Sequence, residues 1–150
     1  MSNGERQYWI ALAHCTAMTV TCWKKLLAVF GNAEAIWKAD EAALERADMG
    51  KEGLRDFLAL RRTRSPTTIE EALAHHKLRA ITIHDDAYPT ILKEISDPPF
   101  VLFVEGELSA TEPVGALGVV GTRTLSSYGK AVLPTLIEGC VQNGMTIVSG

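Results

Sequence analysis

The chain changes its hydrophobic rhythm about halfway along. Up to residue 76, apolar positions recur every three or four residues, the period of helices that bury one face. The stretch "YWIALAHC" presents Trp9, Leu12 and Ala13 on such a face. In "CWKKLLAVFG", Trp23, Leu26, Leu27 and Phe30 do the same, and Gly31 is placed to close the helix. Asn32 and Asp40 stand where N-caps are needed, ahead of "AEAIWKA" and "EAALERA". "KEGLRDFLALRR" buries Leu54, Phe57 and Leu58, together with the aliphatic stem of Arg61. Thr67, followed by Glu70 three residues on, has the pattern of a capping box. A compact bundle of short helices is predicted over residues 5–76.

Beyond residue 76 the pattern becomes that of strands. "LRAITI" has the β-branched content of a strand, and the unbroken apolar run "FVLFV" (100–104) predicts a strand covered on both faces. "GALGVVG" (115–121) is a strand ending in glycine. "SSYGKAVLPTLIEGCVQNG" reads as a helix capped by Ser126 or Ser127 and stopped by Asn143-Gly144, and "MTIVSG" (145–150) as a further strand. Strand, crossover helix and strand make a βαβ unit, hence a parallel sheet. Pro134 falls inside the helix, where it removes a donor, and predicts a kink near residues 130–134. The fold class is α/β: an all-helical domain over residues 1–76, then part of a parallel-sheet domain over residues 77–150. A doubly wound sheet needs more strands than these, so the sequence reads as the N-terminal part of a longer protein.

Composition sharpens this only modestly. With 47% hydrophobic and 22% charged residues, the chain has the make-up of a soluble globular protein. A net charge of −3 gives no overall attraction to nucleic acid, so any phosphate binding must come from a local patch. The three cysteines, Cys15, Cys22 and Cys140, lack metal-ligand spacing and fit reduced thiols in a cytoplasmic protein. No apolar run approaches the length of a membrane span, and residues 1–15 lack a signal-peptide pattern.

The one stretch with the composition of a ligand site is "GVVGTRTLSSYG" (118–129). Gly121 follows a strand, where the chain must turn and the backbone can approach a ligand closely. Ser126 and Ser127 precede a helix whose unpaired N–H groups favour an anion. Arg123 can grip a phosphate with two bonds, and Lys130 can extend the patch. The stretch is neither a dinucleotide-binding glycine motif nor a P-loop. Elsewhere, His75 and His76 are adjacent and point to different helix faces, which suits no shared metal. "HDDAYP" (84–89) fits a capped turn, "RRTR" (61–64) a solvated helix end with phosphate contact as the lesser reading, and Trp9, Trp23 and Trp37 fit core positions. No cofactor is implied.

Taken together, "DDAYPTILKEISDPPFVLFVEGEL", "GVVGTRTLSSYGKAV" and "NGMTIVSG" resemble the DNA-processing protein A family, also called DprA or Smf. The segment "LLAVFGNAEAIWKADEAAL" resembles that family's helical N-terminal domain less specifically. The resemblance implies a sterile-alpha-motif-like helical domain followed by a Rossmann-like domain. It implies a protein that binds single-stranded DNA without catalysis, hands it to the recombinase RecA in natural transformation, and forms a homodimer at full length. In the family the Gly-Ser/Thr-Arg turn contacts DNA. Here that turn maps onto Gly121, Thr122 and Arg123, with Ser126 and Ser127 beside it. The chain departs from the family at "AMTVTC" (17–22), where a Gly-x-Gly hairpin is usual, and at Pro134. Two other readings remain: a Rossmann-like phosphoribohydrolase of the lysine-decarboxylase-like type, and a helical protein-interaction module.

Overall fold

A computed structural model describes residues 3–108 and 115–149; residues 109–114 and Gly150, in the predicted second domain, lie outside the described residues. Two compact units are formed, divided after Leu108. The boundary that composition places at residue 76 falls inside the first unit, because the first two strands pack with the helices.

In the first unit, helices α1 (Asn3–Ala13), α2 (Val20–Phe30), α3 (Ala33–Lys38), α4 (Glu41–Arg46), α5 (Lys51–Thr63) and α6 (Pro66–His75) follow one another with short turns. Each boundary has a local cause. Thr19 Oγ1 accepts the N–H of Cys22 at the start of α2, and Gly31, at φ 82°, closes that helix by donating to Leu27 O. Asn32 Oδ1 and Asp40 Oδ1 accept the N–H groups of Ala35 and Ala43, each at 2.7 Å, as their positions predict. The capping box of α6 is formed by Ser65 and Thr68, two residues ahead of the predicted Thr67–Glu70 pair. Pro66 explains the shift. Its fixed φ and missing N–H suit the first helical position, which makes the residue before it the cap.

The helices enclose one core, to which each contributes a side chain removed from solvent: Ile10 and Leu12 from α1, Leu26 from α2, Ile36 from α3, Leu44 from α4, Phe57 from α5 and Ile69 from α6. The tryptophans join it. Trp9 and Trp23 lie 5.1 Å apart by ring centroid, Trp23 stacks on Phe100 at 5.0 Å, and Trp37 meets Phe57 edge-on at 5.4 Å.

Strands β1 (Leu78–Thr82) and β2 (Val101–Glu105) pair antiparallel, with Leu78 opposite Glu105 and Thr82 opposite Val101; the one-turn helix α7 (Thr90–Lys93) lies between them in sequence. The expectation that "FVLFV" is covered on both faces is not met: along one face Val101 is buried but Phe103 is 41% exposed, and on the other Leu102 and Val104 are half-buried. The strand is covered at its start, where Val101 joins the helical core, and opens toward Glu105. The other edge of β1 is closed by side chains. Arg6 donates to Ala80 O, and Asp85 Oδ2 accepts the N–H of Thr82 at 2.8 Å. Arg6 also approaches Glu70 and Asp85. These contacts occupy backbone groups that would otherwise invite another strand.

The second unit is the predicted βαβ element. Strands β3 (Ala116–Val119) and β4 (Thr146–Ser149) pair parallel, with Ala116 opposite Thr146 and Val119 opposite Ser149. Helix α8 (Ser127–Gln142) connects them and runs unbroken through Pro134. Asn143 caps its end, and Gly144 turns the chain at φ 77°.

Candidate functional site

The loop from β3 to α8 gathers all six residues singled out from the sequence. Gly121, Thr122 and Arg123 follow the end of β3. Ser126 and Ser127 form the start of α8, and Lys130 lies in its first turn. All six are exposed. Thr122 Oγ1 accepts the N–H of Thr124 at 3.2 Å, which folds the middle of the loop on itself. Of the two candidate caps, Ser126 is the one used: its backbone is extended, and its Oγ accepts the N–H of Gly129 at 3.1 Å. Ser127 is therefore the first helical residue. Its hydroxyl has no acceptor or donor among the described residues, and the N–H groups of Ser127 and Tyr128 have no acceptor there either.

At Gly121 φ is not positive and an added Cβ would meet nothing within 4 Å, so the turn itself does not demand glycine. The remaining consequence of Gly121 is an uncovered backbone beside Arg123. Across residues 109–150 the sequence holds two cations, Arg123 and Lys130, and two carboxylates, Glu112 and Glu138; the cations stand together at the N-terminal end of α8, and Glu138 lies farther along that helix. Neither cation is in an ion pair among the described residues. The partial positive charge of a sixteen-residue helix end adds to theirs. Residues 118–130 contain no carboxylate, imidazole or thiol, so the loop offers contacts for an anion and no group for proton transfer near neutral pH.

Two side chains beside the loop were not picked out by sequence reasoning. Val120 is 98% exposed and Tyr128 is 77% exposed, flanking Arg123 in sequence. A valine directly after an apolar strand gives no hint of such exposure.

The other candidates resolve differently. His75 and His76 are exposed, and no group of metal-ligating side chains occurs among the described residues. Asp85 is used to close the edge of β1. Tyr88 is buried, donates to Pro99 O at 2.7 Å, and has its phenol pushed above the usual range by burial. These are structural roles.

Fold and loop together describe an α/β protein with an exposed, cationic strand-to-helix turn. A model of the DNA recombination-mediator protein A family matches residues 79–150, which include the whole of that turn. The chain belongs to this family, DprA/Smf. It is 30% identical over 154 aligned residues to protein Smf of Synechocystis, covering 100% of this chain and 39% of that relative. It is 40% identical over 73 residues to the DNA processing protein DprA of Bacillus subtilis, covering 49% of this chain and 25% of the relative. Protein Smf of Escherichia coli is 33% identical over 123 residues, covering 77% of this chain and 32% of the relative. The chain thus spans well under half the length of these relatives. No solved structure matches it.

Proposed function

We propose that this chain contributes to DNA processing in recombination by holding single-stranded DNA without chemically altering it. The observation that carries this reading is the turn from Gly121 to Lys130. Among the described residues it combines a guanidinium and an ammonium outside any ion pair with two helix N–H groups that have no acceptor, and residues 118–130 contain no acid or base to act on what they hold. Such a turn suits a backbone phosphate. The exposed ring of Tyr128, at the helix start, suits stacking with an unstacked base. The phosphoribohydrolase reading gains no support from a turn with these side chains. Handing the strand to RecA, homodimer formation by the longer protein and a cytoplasmic location complete the proposal, and these rest on the family resemblance alone.

The test is Arg123→Ala in this chain, measured by fluorescence anisotropy with a labelled oligothymidylate at low salt. Losing one phosphate contact lowers the slope of log affinity against log salt by about 0.7 for a single strand. Affinity falls alike for oligonucleotides of different sequence, because phosphate contacts carry no sequence information. Unchanged affinity and slope would remove Arg123 from the site.

A further inference from the structure

The last turn of α5 and the link to α6 carry the run "RRTR", with Arg61 and Arg62 on the helix and Arg64 at its end. It lines a cavity of about 370 Å³, open to solvent, whose walls include Trp37, Arg61, Arg62, Arg64 and Thr68 and no carboxylate. In a chain of net charge −3, three arginines around one acid-free hollow are a local exception. None of the three is in an ion pair among the described residues. Arg62 also borders a separate groove with Glu41 and Glu45, but makes no ion pair with either among the described residues.

Arg61 is held in place. It is half-buried, its Nη1 donates to Ala39 O at 2.6 Å, and its guanidinium lies 5.4 Å from the centre of the Phe57 ring. A guanidinium has five N–H donors, so most of its fork is left for an external acceptor. Arg62 and Arg64 are exposed. The start of α6 adds little of its own, since Ser65 and Thr68 already exchange their backbone N–H groups and hydroxyls. The attraction comes from the guanidiniums, whose planar forks match phosphate oxygens in pairs.

We propose that Arg61, Arg62 and Arg64 form a second phosphate contact for the nucleic-acid strand, carried by the helical unit. Arg61 supplies a fixed fork, and the two exposed arginines supply adaptable charge on either side. This rests on the DNA-binding reading above and extends it to a unit that the loop does not belong to.

The experiment compares the unaltered chain with Arg62→Ala/Arg64→Ala and with Arg123→Ala, using a labelled oligothymidylate over a range of salt. Arg61 is left in place because it also ties α5 to Ala39. Circular dichroism confirms that each variant is folded. The expected result is a severalfold loss of affinity in the double variant and a salt slope lower by about 1.4, at roughly 0.7 per lost phosphate. Unchanged affinity and slope in the double variant, with a loss in Arg123→Ala, overturns this inference and leaves the loop reading standing. A loss in the double variant alone supports the arginine cluster and removes the loop. Absence of binding by the unaltered chain at low salt overturns the cluster in this chain. Poly-glutamate binding that depends on Arg62 and Arg64, with oligonucleotide affinity unchanged in the double variant, overturns it in favour of an acidic protein partner.

Discussion

Glu5 gives the most searching test of how the helical unit is held together. Its carboxylate, on the first turn of α1, reaches across to the start of α3. Oε1 accepts the N–H of Ala33 at 2.7 Å and the indole N–H of Trp9 at 3.1 Å, and Oε2 accepts the N–H of Glu34 at 3.4 Å. With Asn32 capping Ala35, the first three N–H groups of α3 are all satisfied, two of them by a residue 28 or 29 positions away. Ala33 is fully removed from solvent, so water cannot readily replace the lost acceptor. Hydrogen bonds to a charged acceptor contribute about 1.5–3 kcal/mol, and a buried N–H left without one costs about 1–3 kcal/mol. These overlap, and the expected loss for Glu5→Ala is about 2–3 kcal/mol. Glu5→Gln keeps an acceptor oxygen but loses the charge that suits a helix N-terminus, and should lose about 1 kcal/mol. The assay is urea unfolding followed by tryptophan fluorescence. It reports this unit alone, because the three tryptophans, Trp9, Trp23 and Trp37, all belong to it. The midpoint for Glu5→Ala should fall by roughly 1 M or more at the usual urea dependence. A loss below about 0.5 kcal/mol, or equal losses for alanine and glutamine, would refute the reasoning.

Three further outcomes follow from single contacts. Thr82 is fully buried, and its hydroxyl has no partner among the described residues, so Thr82→Val should stabilise the first unit by about 1 kcal/mol; a destabilised variant in the same urea assay would mean that the hydroxyl is satisfied in solution. Ser126→Ala removes the cap of α8 and should cost about 1 kcal/mol, read as faster hydrogen exchange at Gly129 and Lys130; unchanged exchange there would show that the cap does not hold the helix start. Lys25 bonds Asp48 at 2.7 Å and holds its carboxyl below the ordinary value of 3.8, so this contribution is full above that value and is lost as pH falls through the lowered one. Asn tolerates the left-handed backbone at position 48, φ 58°, so Asp48→Asn should be less stable above pH 3.8 and converge with the unaltered chain in stronger acid. A gap that persists undiminished would exclude the ion pair as its source.

The sequence revealed most where the cause is local. Gly31, Asn32 and Asp40 act on residues three or four positions away, and each does what its position predicts. The capping box of α6 sits two residues ahead of the Thr67–Glu70 match, although its residues are only three apart, because Pro66 fixes the helix start. Glu5 and Arg6 were invisible for another reason. They stand side by side in α1, but their partners are Ala33, Glu70, Ala80 and Asp85, distances along the chain that no periodicity encodes. In the loop, residue type and position single out the six candidates, while the exposure of Val120 and Tyr128 depends on where β3 ends in space. The apolar run of β2 does form a strand, but its uneven coverage depends on pairing and layering, which are properties of the whole unit.

The distribution of charge limits how a strand can be held. The acidic excess lies in residues 1–108, so the chain does not draw a polyanion in from a distance. Contact must then be made at short range, where a guanidinium fork meets a phosphate and geometry matters more than net charge. Such binding has an unusual salt dependence. Added salt weakens each arginine–phosphate contact, but it also screens the repulsion between the strand and the surrounding carboxylates. The slope measured for the unaltered chain should therefore be shallower than its number of phosphate contacts implies. Removing one arginine changes that slope by its own counterion share, because the repulsive background is common to both proteins. Differences between variants thus count contacts, whereas the absolute slope does not.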